Sequence, residues 1–112
     1  MNLPDEKADF AYAPGKWHLK DVLQHVIDTE RIMQYRLLRI ARNDLTPLPG
    51  FDENNYALQA NAGSRTLVNL KEEFKALRKS TDLLLLSLTT DQLNHFGVTS
   101  DQLFSAIALA YF

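Results

Sequence analysis

The stretch KWHLKDVLQHVIDTERIMQYRLLRIARN, residues 16–43, decides the fold class. Within it Leu19, Leu23, Val26, Glu30, Met33, Leu37 and Ile40 recur at alternating spacings of four and three. That spacing puts them on one face of a helix, as an a/d seam that packs lengthwise against a neighbour. Glu30 is the polar member of an otherwise apolar line. Arg36, Arg39 and Arg42 crowd the last turns, where the negative end of the helix dipole favours cations. The helix is expected to stop near Asn43, because Leu45-Thr46-Pro47-Leu48-Pro49-Gly50 cannot continue it.

Working outward, a second seam follows Gly63. Leu67, Leu70, Phe74, Leu77, Thr81, Leu84 and Leu88 are spaced three and four apart, with Ser64 as the expected N-cap. Leu83, Leu85 and Leu86 widen the apolar stripe, so this end is expected to be buried on more than one side. Residues 44–63 separate the two seams. A short helix is expected there from about Asp52 to Ala60, with Asp52 as its cap. A connection of this length suits a crossover between the main helices better than a tight hairpin. Thr89 or Thr90 should cap a helical turn through Asn94, and Gly97 should break it. A last helix is expected over Asp101–Phe112, with Leu103, Phe104, Ile107, Ala108 and Tyr111 as its apolar set. No strand-like alternation competes with this reading. The class is therefore all-α, and two long amphipathic helices need at least one more, or a second chain, to enclose a core.

Composition excludes several functions. The 112 residues allow one domain, 1–112, with a net charge of -2 and no basic patch for nucleic acid. There is no cysteine, hence no disulfide and no thiolate ligand or nucleophile. MNLPDEKADF lacks the basic and apolar regions of a signal peptide, and no apolar run approaches the ~20 residues of a membrane span. A cytoplasmic protein with no membrane partner is expected. Four scattered glycines form no phosphate-binding loop, and no serine, histidine and acid grouping follows from spacing.

Tyr12-Ala13-Pro14-Gly15-Lys16-Trp17-His18 leads into a helix carrying His25 and then Asp28-Thr29-Glu30-Arg31. With Ala41-Arg42-Asn43-Asp44, Thr46–Glu53 and Ser64-Arg65-Thr66-Leu67, this run resembles the DinB-like (YfiT-related) superfamily over roughly residues 8–112. The resemblance implies a four-helix bundle with one long crossover, and a divalent metal, nickel or zinc, on three histidines. It implies metal-dependent transferases or hydrolases of small molecules, some using thiol cofactors. His25 matches the first ligand; the other two belong to a His-x-x-x-His motif on the last helix, which this sequence lacks. The family's first helix is also missing. A partial bundle, with the chemistry lost or weakened, is the expectation that follows.

Each candidate has a plainer reading. His25 could be a half-buried histidine bonded to a neighbour. His18 lies seven residues before it, about two helical turns or 10 Å away, and His95 lies in a turn after the second seam. Glu30 could act as a general base, or be held in an ion pair by an arginine such as Arg31 or Arg65. Asp28 should be solvated. Trp17 could line a substrate pocket or clamp the helix start. His18 replaces the expected Ser or Thr cap, which leaves a capping box with Asp21 imperfect. Arg31, Arg36, Arg39 and Arg42 could meet an anionic cofactor or form a solvated face. The alternative to an enzyme is a non-catalytic helical module, completed by homodimerisation through the two seams.

Overall fold

The computed structural model describes residues 17–99 and 102–105, with side chains through His95. The elements are α1 (Leu19–Ala41), α2 (Glu53–Ala60), a 3-10 turn (Ala62–Ser64), α3 (Leu67–Ser87), α4 (Thr90–Leu93), β1 (Phe96–Thr99) and β2 (Gln102–Ser105). The class is all-α, with one short hairpin among the described residues. No helix described is long and apolar enough to cross a membrane.

The chain divides into two compact units, and α1 and α3 each contribute to both. In the first unit (1–29 and 52–77), Leu19, Leu23 and Ile27 of α1 bury against Leu67, Leu70 and Leu77 of α3, with Phe74 packed alongside. In the second (30–51 and 78–112), Leu37 and Ile40 meet Leu84, Leu85 and Leu88, with Met33 at the edge. Ile27, Leu37, Ile40 and Leu70 are the largest fully buried side chains. Each contributes about 1.5–3 kcal/mol by its burial. Within the second unit Glu30 meets Arg78 and Thr81, whereas Ile40 lies in the cluster that Leu84 and Leu88 complete. Positions advance together along both helices, so α1 and α3 run parallel there. Parallel helices cannot be joined by a tight turn, and the long connection through α2 is the consequence.

Capping residues set the ends. The carboxylate of Asp21 accepts the His18 N–H at 3.0 Å, so the acidic half of a capping box forms even without a Ser or Thr cap. Asn43 ends α1 in the left-handed region (φ 61). The Asp44 N–H reaches the Arg39 carbonyl and the Asn43 N–H reaches that of Ile40, which is a Schellman closure. Asp52 caps α2 by accepting from Asn55 N–H, as its sequence position suggests. Thr89 caps α4 in a full capping box with Gln92.

Four expectations need correction. The cap of α3 is Thr66, whose hydroxyl accepts the Asn69 N–H; Ser64 instead closes the preceding 3-10 turn onto the Asn61 carbonyl. Val26 is 39% exposed, whereas Ile27 is 1% exposed. A straight helix turns every 3.6 residues, so its buried line drifts away from a strict heptad. Leu83 and Leu86 are 56% and 83% exposed rather than buried on a second side. Finally, Gln102–Ser105 is a strand, not the start of a helix. It pairs antiparallel with Phe96–Thr99, with Val98 opposite Leu103 and Thr99 opposite Gln102. A short apolar run fits either period, and the β-branched Val98-Thr99 pair supplies a strand to pair with. The rest of the expected last helix, 106–112, lies outside the described residues.

Candidate functional site

His25 sits half-buried on α1, six residues past the helix start at Leu19. Its ring lies 4.9 Å, centroid to centroid, from the Trp17 indole, tilted by 49°. Its Nε2 is 3.5 Å from the Thr29 hydroxyl, a weak contact between neighbours one turn apart. Trp17 thus packs at the helix start, as the clamp reading expects, and covers His25 while doing so.

The other histidines have separate local partners. His18 is exposed, with Nδ1 3.5 Å from the Asp21 carboxylate. His95 donates from Nδ1 to the Ala41 carbonyl at 3.0 Å, which satisfies one of the free carbonyls at the end of α1. A catalytic zinc or nickel centre of this type requires three protein ligands. Among the described residues no group of three His, Asp or Glu side chains comes together. The residues described thus do not compose the ligand set of such a centre.

Glu30 lies in an ion pair, with Arg78 rather than Arg31 or Arg65. Arg78 Nη1 donates to both carboxylate oxygens at 3.0 Å, and the Thr81 hydroxyl donates to Oε2 at 2.6 Å. Gln34 donates in turn to Thr81 and to Ser80. A half-buried seam carboxylate is thereby satisfied on each side. Arg65 anchors a different network, donating to Glu73, Gln24 and Asn69. Asp28 accepts from the Gln24 amide and is not simply solvated.

The arginines of α1 do not form one solvated face. Arg36 is buried, and desolvation lowers its pKa; its guanidinium donates to the Pro49 carbonyl at 3.1 Å. Arg39 grips Asp44 at 2.7 Å and Tyr35 Oη at 2.8 Å, and these bonds raise its pKa, Asp44 contributing most. The Asp44 carboxyl is held down to about 2, first by the Thr46 backbone N–H, then by the Thr46 hydroxyl and Arg39. Arg31 and Arg42 are exposed.

The same unit that holds His25 has an open depression of about 440 Å³, lined among others by Trp17, Asp21, Asn54, Leu58 and Asn61. Sequence reasoning passed over all of these except Trp17 and Asp21. The available signal was Asn61, an asparagine placed where a helix ends in the left-handed region (φ 50).

Comparison with known proteins agrees with this architecture. The sequence matches the DinB superfamily over residues 1–112, and the chain belongs to that superfamily. It is 32% identical over 59 residues to an Oceanobacillus iheyensis protein named "Putative metal-dependent hydrolase", a match covering 52% of this chain and 34% of that protein. The fold is similar to that of YfiT from Bacillus subtilis, described as "a probable metal-dependent hydrolase with an unusual four-helix bundle topology". That likeness has a TM-score of 0.83 at 17% identity and covers 96% of this chain and 63% of YfiT. The chain thus spans about a third of the curated relative and under two thirds of the solved structure.

Proposed function

We propose that this chain carries the scaffold and the first ligand, His25, of a DinB-superfamily metal-dependent hydrolase of small molecules, and that by itself it binds metal weakly and is catalytically silent. The observation that carries this is the setting of His25. It is half-buried, covered by Trp17 and tied only loosely to Thr29, so its nitrogen is not committed to a strong internal bond. The names of its relatives supply the reaction class. The sequence has two histidines besides His25, and both are engaged elsewhere. A transferase using a thiol cofactor would need the same three-ligand centre. Glu30, tied to Arg78 and Thr81, serves the scaffold in this reading rather than acting as a base.

Trp17 is the sole tryptophan, and it lies against His25, so its fluorescence reports on that site. Nickel is expected to quench it only at high concentration, and the His25→Ala variant should lose that quenching. Equal quenching in both proteins would rule out His25 as a ligand. Tight stoichiometric quenching would mean that the chain completes the site, and would overturn the silent scaffold.

A second reading, a homodimerising helical module, is favoured by the exposure of Leu83 and Leu86 on α3. Light scattering decides it. A dimer that dissociates in Leu86→Glu supports this reading, and a monomeric wild type removes it.

A further inference from the structure

We propose that the depression beside Trp17 is a binding site for a small organic cation, an amine with a short apolar body. Its wall is built for two kinds of contact. Trp17 and Leu58 offer an aromatic and an aliphatic surface, and Asp21, Asn54 and Asn61 offer polar groups. Its volume of about 440 Å³ falls within the range of small-molecule sites.

The charge of the ligand follows from the lining. Asp21 supplies a carboxylate, and among the described residues no lysine or arginine lines the depression. Among the described residues, the side chain paired with that carboxylate is His18, whose ring is exposed and 3.5 Å away. An anion would meet repulsion there, whereas an ammonium gains a charge-assisted hydrogen bond. Trp17, also on the wall, brings an aromatic ring, a group that attracts the same charge through its quadrupole. Asn54 and Asn61 make no side-chain hydrogen bond within the described structure, so their amides have capacity for a ligand's donors or acceptors. Asn61 is also held in the left-handed region by the turn from α2 into Ala62–Ser64, which fixes its position on the wall. The apolar body of the ligand would lie along Leu58, which is otherwise 75% exposed.

The site requires no metal and stands apart from the reading of His25. The test is a titration of the full chain with n-butylammonium, butyrate and n-butanol, followed by Trp17 fluorescence. Saturable change with n-butylammonium, at concentrations where the other two give none, is the expected result. Asp21→Asn should raise the midpoint on the order of tenfold, the effect of losing one charge-assisted bond. Leu58→Lys, a rim change outside the core, should raise it as well by placing a like charge at the mouth. Should Asp21→Asn fail to fold, Leu58→Lys decides alone. No response to n-butylammonium, an equal response to butyrate, or an unchanged midpoint in Leu58→Lys would overturn the proposal. The nickel titration bears on His25 only, so either reading can fail without the other.

Discussion

Arg78 on α3 holds both carboxylate oxygens of Glu30 on α1 at 3.0 Å, and the two side chains differ in exposure, 44% for the arginine and 16% for the glutamate. The difference decides what each deletion costs. When Glu30 is removed, the Thr81 hydroxyl, on a buried residue, loses its acceptor. When Arg78 is removed, Glu30 keeps Thr81 and some access to water. Glu30→Ala is expected to cost about 2 kcal/mol and Arg78→Ala about 1 kcal/mol or less. Denaturant melts of both single variants and the double variant measure the coupling. A cost for Arg78→Ala that exceeds that for Glu30→Ala would contradict this account.

Arg36 holds the connection after α1 rather than facing solvent. It is 5% exposed and donates to the Pro49 carbonyl, thirteen residues on. Leu48, also buried, sits next to that anchor. Arg36→Ala should lose the bond and leave a space under the loop, at about 2–3 kcal/mol. Amide exchange should accelerate first in residues 44–51. Arg36→Met restores packing but not the bond, so it should recover part of the stability and little of the loop protection.

The Asp44 carboxylate accepts from Thr46 and Arg39, and its pKa falls to about 2 from an ordinary value near 3.8. A folded-state pKa below the unfolded one contributes stability that is complete above pH ~4. That contribution is lost as pH falls through about 2. Asp44→Asn should therefore melt at a lower temperature than the wild type at pH 7, and the gap should shrink to a small remainder at pH 2. A gap that persists unchanged at pH 2 would mean that the Asp44 charge is not its source.

Much of the fold was legible because helix periodicity is a local property of the chain. Both long helices, the crossover, the cap Asp52 and a cap at Thr89 or Thr90 follow from spacing and side-chain chemistry alone. What was not legible depended on partners distant in sequence. Nothing local tells Glu30 to pair with Arg78, forty-eight residues away, rather than with Arg31. The strand at Gln102–Ser105 exists through its pairing with Phe96–Thr99, which a helical reading of Leu103 and Phe104 cannot anticipate. The cap moved from Ser64 to Thr66 because the chain spends an extra turn on Ala62–Ser64. For the candidate site, the sequence pointed to His25 and Trp17, and the structure sets their rings together. The depression next to them escaped notice because Asn54, Leu58 and Asn61 come from a different helix and join Trp17 only in three dimensions.

The choice between Val26 and Ile27 puts the helix period itself to a stability test. A strict heptad would bury Val26, but Ile27 is 1% exposed and Val26 39%. Leu19, Leu23 and Ile27 follow one another at steps of four, and the buried line then returns through Glu30 to Leu37. The average step lies close to 3.6 residues, the value for an unsupercoiled helix. Ile27→Ala should open a cavity beside Leu70 and Leu67, its partners in one cluster, and cost about 3 kcal/mol. Val26→Ala removes a half-solvated side chain and gains helix propensity, so its effect should stay within about 0.5 kcal/mol. Urea midpoints of the two variants separate the alternatives. Comparable losses at both positions would indicate that α1 supercoils and that the heptad line, not the straight-helix line, faces the core.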